Sequence, residues 1–193
     1  MRDRSSRATN HRFRVKLIDA QTCQRCSLAA TRTQVVIGSG DITSRLVLVG
    51  EAPGRTEDEG GEPFLGRSGQ LLFSLLHDEV GLTRDDCYIT NVVKCRPPNN
   101  RTPTATELRA CRTWWDLQVP LLRSSVIVTL GLTATRAVLN VRAPMSELHG
   151  RAVESEMGVV LPTYHPAAAL RQGPSVVNVM RSDLRRVRKL LDS

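Results

Sequence analysis

Aromatic residues are scarce: Phe, Trp and Tyr make up 4% of 193 residues. That excludes a broad base-stacking platform of the kind that grips single-stranded nucleic acid. Long hydrophobic runs are missing as well. No segment approaches the ~20 consecutive apolar residues of a membrane span. No apolar stretch follows the basic start, so a secretory leader is not expected and a cytoplasmic location is. There is no internal repeat, and no second C-x-x-C pair to complete a two-knuckle zinc ribbon.

Acidic residues are few at both ends of a chain whose net charge is +8. Residues 1–16 hold six Arg or Lys against one Asp, residues 181–193 hold five against two, and residues 17–180 balance. A terminal basic excess fits a polyanionic partner, and fits equally well a solvated tail and the outer face of a helix. Residues 1–14 are expected to form a disordered basic tail. Residues 15–193 then form a single domain, large enough to bury roughly 70% of its unfolded surface.

What is present is an alternation of apolar segments. Val35–Ile37, Leu46–Val49, Tyr88–Val93, Val126–Leu130 and Val159–Leu161 read as strands. Helices are expected over Ser68–Val80, Thr104–Leu122, Thr133–Leu139 and about 175–192. The first has Leu71, Leu72, Leu75 and Leu76 on one face and Gly81 as its stop. The last sets Val177, Met180, Leu184, Val187 and Leu191 opposite Arg181, Arg185 and Arg188. Such alternation argues for a mostly parallel sheet covered on both sides.

Leu46–Val49 runs directly into Gly50-Glu51-Ala52-Pro53-Gly54 and then into the polar, Gly-rich stretch 55–64, which reads as a loop. A carboxylate is thereby presented at a strand's carboxyl end, where open α/β sheets bind ligands. The cysteines number five. In a cytoplasmic chain they favour metal over disulfides. Cys23 and Cys26 form a close pair that can converge on one centre. Cys95 and Cys111 have to be brought in by the fold. Such a scattered set suits a 4Fe–4S cluster at least as well as zinc. Cys87 fits no pattern and is taken as structural.

Cys23-Gln-Arg-Cys26, Gly50-Glu-Ala-Pro-Gly54, Glu62-Pro-Phe-Leu-Gly-Arg-Ser-Gly-Gln-Leu-Leu72, Tyr88-Ile-Thr-Asn-Val-Val-Lys-Cys-Arg-Pro-Pro98 and Leu161-Pro-Thr-Tyr-His-Pro166 occur in this order. Together they resemble the family 4 uracil-DNA glycosylases, the iron–sulfur branch of that superfamily, from about Cys23 to Leu170. The resemblance implies a three-layer α/β/α sandwich around a mostly parallel four-stranded sheet. It also implies a structural 4Fe–4S cluster on Cys23, Cys26, Cys95 and Cys111, and a monofunctional hydrolase, here expected to be monomeric, that excises uracil from single- or double-stranded DNA and leaves an abasic site.

Carried onto this sequence, the resemblance makes Glu51 the carboxylate that stabilises the sugar cation and orients water. His165 becomes the donor to uracil O2. Asn91 reads O4 and N3–H, and Phe64 stacks on the base. Ala52 joins the uracil contacts, while Glu57 and Asp58, within reach of the same pocket, either crowd uracil C5 and exclude the methyl of thymine or are simply solvated. The helix start around Arg67 and Ser68 either holds a DNA phosphate or is simply N-capped by Ser68, with Leu170 as an apolar wedge and Arg171 beside it. Two departures stand out. Arg55-Thr56 occupies a place where relatives are often acidic. Residues 96–103 lack the histidine with which an X-type branch traps its product sugar, so covalent trapping is not expected. Two rival readings are a sibling glycosylase acting on hypoxanthine or xanthine and a non-catalytic iron–sulfur DNA-binding protein.

Overall fold

The computed structural model describes residues 19–122 and 125–193; the expected tail over residues 1–14 lies outside them. Five strands form one sheet: β1 (Leu46–Gly50), β2 (Cys87–Asn91), β3 (Ser125–Leu130), β4 (Val153–Ser155) and β5 (Gly158–Thr163), in the order β2-β1-β3-β5-β4. The first four of that order are parallel, and β4 pairs antiparallel with β5 at the edge. The sheet therefore has one strand more than expected. β4 is three residues long and largely exposed, so it carried no apolar signal.

Side chains alternate across the sheet as the two-residue period of a strand requires. Leu46, Leu48, Ile89, Val126, Val128 and Leu161 pack on one side against α2 (Arg67–Val80) and α7 (Pro174–Asp192), through Leu72, Leu75, Leu76, Met180, Leu184 and Val187. Val47, Val49, Tyr88, Ile127 and Val160 pack on the other against Trp114 and Trp115 of α3 (Ala105–Gln118) and Val138 of α4 (Leu132–Leu139). This is the α/β/α sandwich. Helix α2 stops where Gly81 takes a left-handed conformation (φ 79°), donating its N–H to the carbonyls of Leu76 and His77.

Two local readings change. Val35–Ile37 is not a strand but an irregular cover on the outer edge of β2. There Val36 N–H donates to Lys94 O (2.8 Å), Thr90 Oγ1 donates to Ile37 O (2.7 Å), and Ser39 pairs with Ile89. Covering an edge strand in this way removes a template for aggregation. The stretch expected to be a loop after Gly54 instead begins with helix α1 (Arg55–Gly60), which includes Arg55 and Thr56. The arginines of α7 are also spoken for. Arg181 and Arg185 bond to Glu79 of α2 at 2.5 and 2.7 Å, so this part of the basic excess is held within the fold.

Candidate active site

Because β1, β2, β3 and β5 are parallel, their carboxyl ends open on one side of the sheet. Glu51 follows β1, Asn91 ends β2, Gly131 follows β3, and His165 lies just beyond β5. A cleft of 690 Å³ lies there, and Glu51, Ala52, Glu57, Phe64, Arg67, Ser68, Asn91, His165, Leu170 and Arg171 all line it.

Asp58 does not. Its side chain is 2% exposed, and both carboxylate oxygens accept from Thr33 N–H at 3.0 Å. It fastens residues 33–34 to α1, and its expected uracil contact is withdrawn. Glu57 reaches the cleft wall, yet its carboxylate accepts from Gly54 N–H (3.0 Å) and Gly66 N–H (2.9 Å). Glu57 thus braces the two loops that enter α1 and α2. The N-cap of α2 is Gly66, not Ser68.

Asn91 is 2% exposed, and no described residue hydrogen-bonds its side-chain amide. Its amide atoms are not sealed in: they open on the cleft, free to pair with a ligand there. The close packing around it depends on Gly50, where a Cβ would fall 2.3 Å from Asn91 Oδ1 and 2.7 Å from Phe64 Cζ. Phe64 itself has φ 56°, a strained region for an aromatic residue. Strain of this kind collects at functional sites.

Beyond the short helix α5 (Met145–Leu148), His165 caps α6 (Pro166–Gln172) by accepting Ala167 N–H on Nδ1 at 3.1 Å. A neutral ring that accepts on Nδ1 carries its proton on Nε2, leaving that nitrogen as a donor. Burial, with a smaller push from Arg171, lowers its pKa to about 4, so the ring is neutral near pH 7. It stacks on Phe64 with centroids 5.8 Å apart and planes 28° apart. Glu51 lines the same cleft, and no described residue hydrogen-bonds its carboxylate. Leu170 is 45% exposed, an apolar side chain left standing at the cleft mouth.

Cys23, Cys26, Cys95 and Cys111 line a second, smaller cavity with Arg25 and Arg32. Donors point at its sulfurs: Trp114 Nε1–H at Cys23 (3.3 Å), Lys94 N–H at Cys111 (3.2 Å) and Arg32 at Cys95 (3.6 Å). Such an arrangement suits thiolates. Among the described residues no group of three His, Cys, Asp or Glu is set close enough to hold a single ion. Four cysteine sulfurs around one cavity, three of them facing N–H donors, make a donor set that a sulfur-ligated group would fit. Cys87 lies apart, buried in the other core, where burial pushes its thiol up to about 12.

Residues 37–185 match the sequence profile of the Uracil DNA glycosylase superfamily. The chain belongs to this superfamily. It is 45% identical over 151 residues to the Type-4 uracil-DNA glycosylase of Thermotoga maritima, covering 77% of this chain and 78% of that one. It is 39% identical over 178 residues to the Type-4 uracil-DNA glycosylase of Sulfurisphaera tokodaii, covering 88% and 80%. A Type-5 uracil-DNA glycosylase of Pyrobaculum aerophilum is 34% identical over 164 residues, covering 76% and 72%.

Some of what shapes the site in this superfamily member had no local signal in the sequence. Arg84 clamps the Phe64 loop, donating to Pro63 O (2.8 Å), Phe64 O (3.3 Å) and Glu62 (2.9 Å). Arg101 and Thr102 form part of the cleft wall, and Arg101 also grips Glu107 with both guanidinium arms at 2.7 and 2.8 Å. That pairing holds the Glu107 carboxyl down to about 2. Glu107 in turn caps α3 at Thr104 N–H and accepts from Ser27, next to Cys26. The cleft wall and the cysteine site thus share a strut.

Proposed function

We propose that the chain excises uracil from DNA by hydrolysing the N1–C1′ bond and leaves an abasic site. The observation that carries this reading is the unpartnered Asn91 amide in the cleft wall, with Glu51, Phe64 and His165 around it. A flipped uracil offers one face and two polar edges. Its O4 and N3–H suit an amide that donates and accepts side by side. Cytosine reverses that pattern and is rejected.

The transition state carries positive charge on the sugar and negative charge on the departing base, so fixed electrostatics do most of the work. Glu51 faces the sugar cation and orients the attacking water. His165 donates from Nε2 to O2 as the base leaves. Phe64 stacks on the ring. Arg67, Ser68 and Arg171 meet the phosphates, and Leu170 fills the space the base vacates. Cys23, Cys26, Cys95 and Cys111 hold a 4Fe–4S cluster. When bound, that cluster supplies a covalent tie between the Cys23–Cys26 turn, the exit from β2 and helix α3.

The test incubates holoprotein with matched oligonucleotides carrying uracil or cytosine and then cleaves abasic sites with alkali. Strand breaks that depend on uracil are expected from protein that also carries iron and sulfide in equal amounts. An intact uracil strand would sink the enzymatic reading, and zinc alone after preparation without air would sink the cluster. Asn91→Asp is expected to narrow the preference for uracil over cytosine, read as the ratio of kcat/KM on the two oligonucleotides. An unchanged ratio removes Asn91 as the reader.

A further inference from the structure

We infer that Lys94 is a positioning residue that ties the four-cysteine site to the base-reading end of β2, an inference that rests on the uracil reading above. Lys94 is 0% exposed, yet no carboxylate hydrogen-bonds its ammonium. Instead Nζ donates to Asn91 O (2.6 Å), Thr90 Oγ1 (2.8 Å) and Gln118 Oε1 (2.6 Å). An ammonium has three donors and no acceptor, so these contacts saturate it. The Trp115 ring, 5.9 Å away, and the Cys111 sulfur also favour the charge; burying a cation is expensive even so, and a side chain that only filled space would not need one.

The rest of the segment explains what the bonds accomplish. Strand β2 ends at Asn91, and the chain then runs through Val92, Val93 and Lys94 into Cys95. Val92 N–H donates to Gly50 O and Val93 N–H to Glu51 O, each at 3.0 Å. Lys94 N–H donates to the Cys111 sulfur, while its side chain folds back to the Asn91 carbonyl. Within this short strap the backbones of Glu51 and Asn91 are each pinned, and its far end is a cysteine of the second site. Gln118 completes the anchor from α3, its amide donating to Tyr88 OH (2.8 Å) and Ile37 O (3.1 Å). Lys94 lines no part of the cleft, so it acts only through the residues it holds.

If Lys94 works by orienting Asn91, its removal matters only while Asn91 is present. The experiment is a double-mutant cycle of Lys94→Met and Asn91→Ala in holoprotein, with single-turnover rates at saturating uracil oligonucleotide. Lys94→Met is expected to lower the saturated rate about tenfold or more, since small misplacements at a reacting centre cost this much. KM and iron and sulfide per chain should stay at wild-type values. In the Asn91→Ala background the same change should cost less than about twofold. Equal costs in both backgrounds, or a rate loss that tracks lost iron, overturns the inference. Should Lys94→Met not fold, Gln118→Met removes an acceptor from the same ammonium and is read in the same cycle. Wild-type holoprotein inert on uracil sinks both readings, whereas an active wild type with additive costs sinks only the role of Lys94.

Discussion

Glu51→Gln is expected to keep the fold and lower the single-turnover rate on uracil-containing DNA by about 10²–10⁴-fold, the range typical of a lost acid–base group. The amide fills the same volume at the end of β1, so the backbone bond from Val93 N–H to Glu51 O survives. What disappears is the negative charge that we propose faces the forming sugar cation. No neighbour replaces it. Glu57 is the next carboxylate along the cleft wall, and its oxygens already hold Gly54 and Gly66. Circular dichroism and cluster absorbance matching wild type would show that the loss is chemical. A rate within a few fold of wild type would take Glu51 out of its role.

His165→Leu is expected to cost about 10²–10³-fold in kcat, the usual effect of removing one donor to a developing anion. The pH dependence tells which form of the ring acts. With the folded pKa at about 4 against 6.5 for the free side chain, the imidazole is neutral from pH 6 to 8, and no rate inflection from His165 is expected there. An inflection near 6.5 that disappears in the Leu variant would mean that the charged ring does the work. Stability carries the opposite mark. Below pH 6.5 the unfolded chain binds a proton that the fold refuses, so this histidine's share of stability is lost as pH falls from 6.5 toward 4. Urea titrations of wild type and His165→Leu across that window should show a shallower decline in the variant.

The parallel sheet was legible because β1, β2, β3 and β5 are short apolar runs followed by turn residues. The cleft followed from it, since each strand's carboxyl end could be named before any contact was known. Reading failed where the signal was not periodic. Helix α1 is polar throughout and leans on the loop-bracing Glu57 side chain, so hydrophobic spacing could not reveal it. Val35–Ile37 has strand composition but bonds to Lys94 and Thr90 at an edge, which only the tertiary fold decides. Asp58 looked like a pocket acid because it neighbours Glu57. One step along a helix turned it to the amide of Thr33 instead. Arg84 and Lys94 were invisible for another reason: their meaning lies in carbonyl oxygens and side chains brought to them by folding.

The pairing of Arg181 and Arg185 with Glu79 bears on how the molecule meets DNA. Both partners already count in the formal +8, so the pairing leaves the net charge unchanged and weakens only the local positive field along α7. At the cleft mouth Arg67 and Arg171 have no described anionic partner. DNA that reaches the cleft therefore meets uncompensated positive charge at its mouth, a local attraction at the site where the base must enter. Each of the two arginines that neutralises a phosphate should contribute about one to the slope of log affinity against log salt, and Arg67→Ala or Arg171→Ala should remove that share.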